Sequence, residues 1–151
     1  MAKNNEHIFS VEEAGESSGF LLWQVTSIWQ REIRRALEPH GLTHSQFVIL
    51  ASIYWLSMQE QAVTQVLLSN HTKIDVMTTS TVLRTLQEKK LVLRAEHPTD
   101  TRAKVVKLTD TGKKLIKETV PVVEKFDQEF FAALGNKLPG FNKQLHTLLG
   151  S

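Results

Sequence analysis

No cysteine occurs anywhere in the 151 residues. Disulfides, zinc–thiolate centres and thiol-based redox sensing are therefore excluded. Long hydrophobic runs are also missing. The longest, FVILASIYWL at 47–56, is too short for a bilayer, which needs about 18 to 20 apolar residues. The opening stretch, MAKNNEHIFSVEEAGESSG, is polar and acidic and has no signal-peptide core, so the cytoplasm is the expected location and no membrane partner is expected. Catalytic signatures are absent too. There is no Gly-rich phosphate loop, no G-x-S-x-G and no H-E-x-x-H, and the carboxylates are scattered over faces expected to be exposed. This is not the pattern of an enzyme, and nothing calls for a cofactor. Six histidines invite a metal reading, yet the pair four apart, His40 and His44, is separated by Gly41 and the helix-start residue Thr43. That places the two in a loop rather than on one helical face, so no metal site is expected.

What is present is an ordinary globular composition, 41% hydrophobic and 23% charged, in a length that fits one domain. The net charge is only +2, but it is unevenly spread: residues 1–60 carry −3, residues 61–110 carry +3 and residues 111–151 carry +2. A basic middle segment points, weakly, to a polyanionic partner.

Periodicity then divides the chain. Residues 1 to about 10 are expected to fray. A first helix is predicted from about Val11 or Ser17 to Glu38, with Leu22, Val25, Trp29, Ile33 and Ala36 on one apolar face, ended by Pro39 and Gly41. Thr43-His44-Ser45-Gln46 is a capping box that opens a second helix, whose buried stripe should be Phe47, Leu50, Ala51, Tyr54 and Trp55. A third helix is expected over about Val63–His71, then a turn at Thr72-Lys73-Ile74. Asp75 caps a fourth helix from about Val76 to Lys89. On that fourth helix Thr79, Val82, Leu83 and Leu86 share one face. Met77, Thr81, Arg84 and Glu88 point the other way, with Ser80 at the edge. Two strand-like runs, about 91–96 and 103–108, flank the polar tip PTDTRA. Thr109 or Asp110 caps a long fifth helix striped with Leu115, Ile116, Val120, Val123, Phe126 and Phe130, inside which Pro121 should kink the helix or unpair one bond. Gly135-Asn136 stops it, and a last helix spans about Pro139–Leu149.

Helix-turn-helix followed by a hairpin, within 43–108, is a winged helix. The fold class is mainly α with a small β-hairpin wing, and helices at 11–40 and 110–150 lie outside the winged lobe. A helix of this kind fits a DNA major groove, and the hairpin tip can reach the neighbouring minor groove, where an arginine meets concentrated negative potential. The run Met77, Thr78, Thr79, Ser80, Thr81 with Arg84 is therefore the candidate reading face. Small hydroxyl side chains allow close approach to bases and phosphates, and such poor helix formers need a reason to be there. Arg102 is the candidate wing finger. Asp100 could hold its guanidinium or pair with Arg94 or Lys104 at the hairpin base, and Arg94, Asp100 and Lys104 complete the candidate DNA-binding set.

These stretches resemble the MarR (multiple antibiotic resistance regulator) family of bacterial transcriptional regulators. GLTHSQFVIL at 41–50 is similar to the family's entry into its second helix. LQEKKLVLRAEHPTDTRAKVVKLTDTGKKL at 86–115 is similar to the end of its recognition helix, its wing and its next helix cap, with the wing's Asp-x-Arg falling on Asp100 and Arg102. The resemblance covers about residues 17–149. Two positions depart from it: Lys90 stands where the family has Gly, and Thr79 where it has Val. A Lys that took up the left-handed conformation of that Gly would cost roughly 1 kcal/mol. The resemblance implies a homodimer built from the first and last two helices, a pseudo-palindromic double-stranded DNA operator, and repression relieved by a small aromatic effector held between the dimerisation helices and the winged lobe. Trp23, Trp29, Phe47, Tyr54 and Trp55 are the aromatics placed for such a pocket, although aromatics at helical spacing more often belong to a core. Independently, Phe126, Phe130, Phe131, Phe141, Leu145 and Leu148 are much apolar surface for a tail packed against nothing. The competing expectation is a winged-helix module that binds protein rather than DNA, which the near-neutral net charge leaves open.

Overall fold

Helix boundaries in the computed structural model, which describes residues 6–151, fall where capping chemistry puts them. The expectation of a frayed start concerns in part residues 1–5, outside the described residues. After a single 3₁₀ turn at Ala14–Glu16, α1 runs Ser18–Leu37. Its true start is Ser17, whose Oγ accepts from the Phe20 N–H at 3.3 Å. A 3₁₀ turn at Glu38–His40 and Gly41, at φ 70°, end it. The capping box opens α2, His44–Ser57, as expected: Thr43 Oγ1 accepts from the Gln46 N–H and Gln46 Oε1 from the Thr43 N–H, both at 3.2 Å. Then follow α3 (Gln65–Thr72), α4 (Val76–Glu88), β1 (Val92–Glu96), β2 (Lys104–Leu108), α5 (Asp110–Phe131), a 3₁₀ stretch and α6 (Leu138–Leu149).

The α2 helix lies at the centre and packs against α1, α3, α4, α5 and β2. A helix surrounded in this way has no single apolar stripe. Its buried rows are Phe47, Ile49, Leu50, Ile53 and Leu56, with Gln46 and Ser52. The expected stripe is corrected at Trp55, which is 57% exposed. The face expected on α1 is also half right. Trp29 packs against the core and Ile33 is buried, joined by Leu37, while Leu22 and Val25 lie exposed further up the helix.

Two further boundaries move for local reasons. Val63 does not begin α3, because Thr64 caps it by accepting from the Leu67 N–H at 3.1 Å. Val63 instead is buried, and its carbonyl accepts the Val106 N–H at 2.8 Å. Pro121 does not interrupt α5. It lies on the exposed side rather than in the buried stripe, and the carbonyl it leaves unpaired, that of Lys117, belongs to an exposed residue that water can serve.

The hairpin is antiparallel, with Arg94 opposite Val106 and Glu96 opposite Lys104. Its root is knotted to the helices on either side. The last turn of α4 closes with two bonds, Leu91 N–H to Leu86 O and Lys90 N–H to Gln87 O, both 2.9 Å. This is a Schellman cap, and Leu86 and Leu91 are both buried as its apolar pair. Such a cap demands a left-handed residue, and Lys90 supplies it at φ 60°. The wing therefore leaves the helix as it would from a Gly, with the strain carried by Lys90. Thr109, the cap of α5, donates its hydroxyl to Lys90 O at 2.7 Å and its N–H to Leu91 O at 3.0 Å. Gly112 packs directly over that spot: a Cβ there would lie 2.1 Å from Leu91 O.

Candidate nucleic-acid interface

Helix α4, the candidate reading helix, is set by its cap. Asp75 accepts from the Thr78 N–H at 2.8 Å and from the Thr78 hydroxyl at 2.7 Å. These bonds stabilise the charged carboxylate and hold its pKa below the ordinary range. The preceding turn is tied down by Ser69, whose hydroxyl donates to Ile74 O at 2.6 Å, and by Lys73 in a left-handed conformation at φ 62°. Leu83 and Leu86 are fully buried and orient the helix. What faces outward is Met77, 82% exposed, with Thr78, Thr81 and Arg84, while Ser80 is half-buried. Among the described residues Arg84 has no ion-pair partner.

Thr79 is corrected. It is fully buried, and its hydroxyl donates back to Asp75 O at 2.8 Å. A hydroxyl here is tolerated because the helix itself accepts its proton, so Thr79 packs the helix and does not read DNA.

At the wing tip Arg102 is exposed. Asp100 does not hold its guanidinium, nor does it pair with Arg94 or Lys104. Its Oδ1 accepts the backbone N–H of Arg102 at 3.1 Å, as an Asx turn does. Asp100 therefore shapes the tip and leaves the Arg102 side chain available. His97 is a tip residue that the sequence reading missed: its Nδ1 accepts the N–H groups of Thr99 and Asp100, each at 3.2 Å. Arg94 is half-buried and turned inward, to Gln87 Oε1 at 2.9 Å and Gln65 Oε1 at 3.1 Å. Lys104 sits exposed at the start of β2.

The five candidate pocket aromatics separate. Phe47, Tyr54 and Trp55 line one cleft of about 610 Å³ between α2 and α5, with Lys117 and Glu124 at its wall. Trp29 lines another, of about 400 Å³, with Arg34 and His44. Trp23 is 70% exposed on α1 and lines neither. A link joins the two clefts: the Trp29 indole N–H donates to Asp127 Oδ1 at 2.8 Å, and its ring meets that of His44 edge-on at 5.0 Å. Burial lowers the His44 pKa from the ordinary 6.5; Asp127 opposes the shift and Arg34 adds to it.

Known proteins are similar to this chain in sequence and fold. Residues 38–125 match the family model of the ArnR1-like, winged-helix domain. A relative from Bacillus subtilis, the uncharacterized HTH-type transcriptional regulator YdcH, is 41% identical over 80% of this chain and 82% of its own. The HTH-type transcriptional repressor Rv2887 of Mycobacterium tuberculosis is 30% identical over 77% of this chain and 81% of its own. Among solved structures, a MarR variant from Escherichia coli complexed with operator DNA superposes with a TM-score of 0.78, at 26% identity over 87% of this chain and 92% of that one. This chain belongs to the MarR family of winged-helix transcriptional regulators. BpsR of Bordetella bronchiseptica, whose DNA binding is regulated by 6-hydroxynicotinic acid, has a TM-score of 0.82 at 25% identity, covering 93% of this chain and 99% of that one. As a MarR-family member the chain is a DNA-binding regulator and not an enzyme, which decides against the protein-binding module considered from the sequence. Among the described residues no helix is long and apolar enough to cross a membrane.

Proposed function

We propose that the protein is a dimeric, sequence-specific repressor that small aromatic ligands release from its operator. The observation that carries the reading is the outward face of α4, where Met77, Thr78, Thr81 and Arg84 are exposed beside a wing whose Arg102 side chain is uncommitted. In this reading α4 enters the major groove, and Thr78, already turned to Asp75, sets the helix start against the phosphates. Arg102 enters the adjacent minor groove. Dimerisation is supported by apolar surface that a single chain leaves uncovered: on α1 Phe20, Leu22, Val25 and Ile28 are each 45–56% exposed, and on α6 Leu148 is 78% exposed. A two-fold pair would set two reading helices about one DNA turn apart on a pseudo-palindromic site. Release is supported by the cleft lined by Phe47, Tyr54 and Trp55, which lies between α5 and the winged lobe. A ligand favoured by one lobe spacing shifts the protein toward it and lowers DNA affinity accordingly.

The deciding experiment is fluorescence anisotropy against DNA from upstream of the protein's own gene and against unrelated DNA of equal length, over a salt series. Specific binding about a thousandfold tighter than the control is expected. Arg102→Ala should weaken it while folding and dimerisation stay as in wild type. An Arg102→Ala protein that binds as tightly as wild type would refute the wing finger.

A further inference from the structure

At the wing root, three consecutive residues leading into α3 hold both strands of the hairpin. The Val63 carbonyl takes the Val106 N–H at 2.8 Å, and Thr64 forms a bridge with Val105. Gln65, next in line, takes Arg94 Nη1 at 3.1 Å. Arg94 lies directly across the hairpin from Val106, so at this one rung β2 is pinned by its backbone and β1 by a side chain. The same guanidinium also donates through Nε to Gln87 Oε1 at 2.9 Å, in the last turn of α4. It thus spans three elements: α3, α4 and the wing.

The chemistry suits a brace better than a contact. A guanidinium offers only donors, in a rigid planar fork, so each glutamine must turn its carbonyl oxygen toward it. Among the described residues no carboxylate pairs with Arg94. Two neutral amides therefore hold it in place, by geometry rather than by charge neutralisation. Arg102 lies in the tip beyond the last paired rung, Glu96 opposite Lys104, so a small rotation at the Arg94 rung swings it through a larger displacement.

We propose that Arg94 is a positioning residue for DNA recognition: it sets the angle between wing and reading helix, and it acts through Arg102 rather than on DNA directly. This rests on the DNA-binding reading above, and the test separates the two.

The test is a double-mutant cycle on the full-length protein, using a duplex selected from a random pool by the wild type. The variants are Arg94→Lys, Arg102→Ala and the pair, each first checked for wild-type melting and dimerisation. Arg94→Lys keeps the charge but replaces the fork with a single point donor. Arg102→Ala is expected to bind at least about fivefold more weakly and to reduce the slope of log affinity against log salt by about 1. Arg94→Lys is expected to bind about three- to tenfold more weakly, with a salt slope that falls by no more than the Arg102→Ala change of about 1, because the only contact it loses is the one Arg102 makes. The pair should bind within about twofold of Arg102→Ala alone, because a misplaced wing without its finger has nothing more to lose. Gln87→Ala should reproduce the Arg94→Lys loss and show the same dependence on Arg102, a coupling that a plain loss of stability would not produce.

Three results overturn the inference. If Arg94→Lys binds as wild type while Arg94→Ala is weaker with a smaller salt slope, Arg94 is a phosphate contact. If the two losses multiply, Arg94 does not act through the wing tip. If Arg102→Ala has no effect, the wing-finger reading fails and this inference with it.

Discussion

Adding one methyl group at Gly112 tests whether the wing root holds the winged lobe together. The residue sits in the first turn of α5, where a Cβ would stand 2.1 Å from Leu91 O and 3.1 Å from its carbonyl carbon. Ordinary contact between carbon and oxygen is more than an ångström longer, and the obstacle is backbone, not a side chain that could swing away. Either α5 or the wing root must move. Leu91 O already accepts the Thr109 N–H at 3.0 Å, and Thr109 bonds to Lys90 O at 2.7 Å, so the movement would stretch both bonds. Overpacking of this kind costs about 1–3 kcal/mol, and two strained bonds near the cap place Gly112→Ala at the upper end, about 3 kcal/mol. The better helix propensity of Ala returns at most about 1 kcal/mol. For a chain of this size a net loss of about 2–3 kcal/mol lowers the melting temperature by roughly 4–12 °C. Thermal and urea unfolding at fixed protein concentration would measure it, since a dimer's melting point depends on concentration. Gly15→Ala is the control, because its Cβ would meet nothing within 4 Å. If Gly112→Ala unfolds within about 0.5 kcal/mol of wild type, the close approach of α5 to the wing root does not constrain the fold and the reasoning is wrong.

Lys90→Gly should act in the opposite sense: at φ 60° it relieves a strained conformation, and a gain of about 0.5–1 kcal/mol is expected in urea unfolding, with DNA affinity unchanged. Asp75→Ala removes the cap of the reading helix and should cost about 1 kcal/mol of stability while weakening DNA binding, measurable by melting and anisotropy together. His44, whose folded pKa lies below the ordinary 6.5, favours the native state above that value, and the preference is lost as pH falls through it toward the folded pKa. Between about pH 7 and 5 wild-type stability should therefore decline more steeply than that of His44→Gln, and parallel curves would rule His44 out as a cause.

The sequence disclosed most where chemistry is local. Thr43, Asp75 and Thr109 all cap the helices assigned to them, because an N-cap needs only its own next three residues. Which side of α4 faces outward was legible for the same reason; Thr79, whose residue type suggests contact, lies on the inner side and is buried. Longer-range packing leaves a weaker mark in the sequence. Leu22 and Val25 form an apolar face on α1, but periodicity cannot say whether such a face meets its own chain or another one. Here only the half of α1 around Ile33 and Leu37 meets the core. A single buried stripe does not describe α2, which five elements surround, so periodicity alone misplaces Trp55.

Arg94 is the most instructive case. A basic residue on a wing strand invites a phosphate contact or a carboxylate partner, and both expectations come from its charge. Its partners are Gln65 and Gln87, 29 and 7 residues away, and neither carries a charge. Uncharged partners leave no mark in a charge pattern, and the three residues lie on three different elements, so no single helical or strand period links them. What the chain does show is that the wing root lies beside the first residue of α3, through the Val63 and Thr64 pairing with β2. Once that pairing is known, a long donor on the facing strand can reach the start of α3, and arginine is the side chain whose fork can reach the end of α4 at the same time. The positions of the elements were written in local signals. The angle between them, on which the proposed reading of two grooves would depend, rests on side chains that meet only after folding.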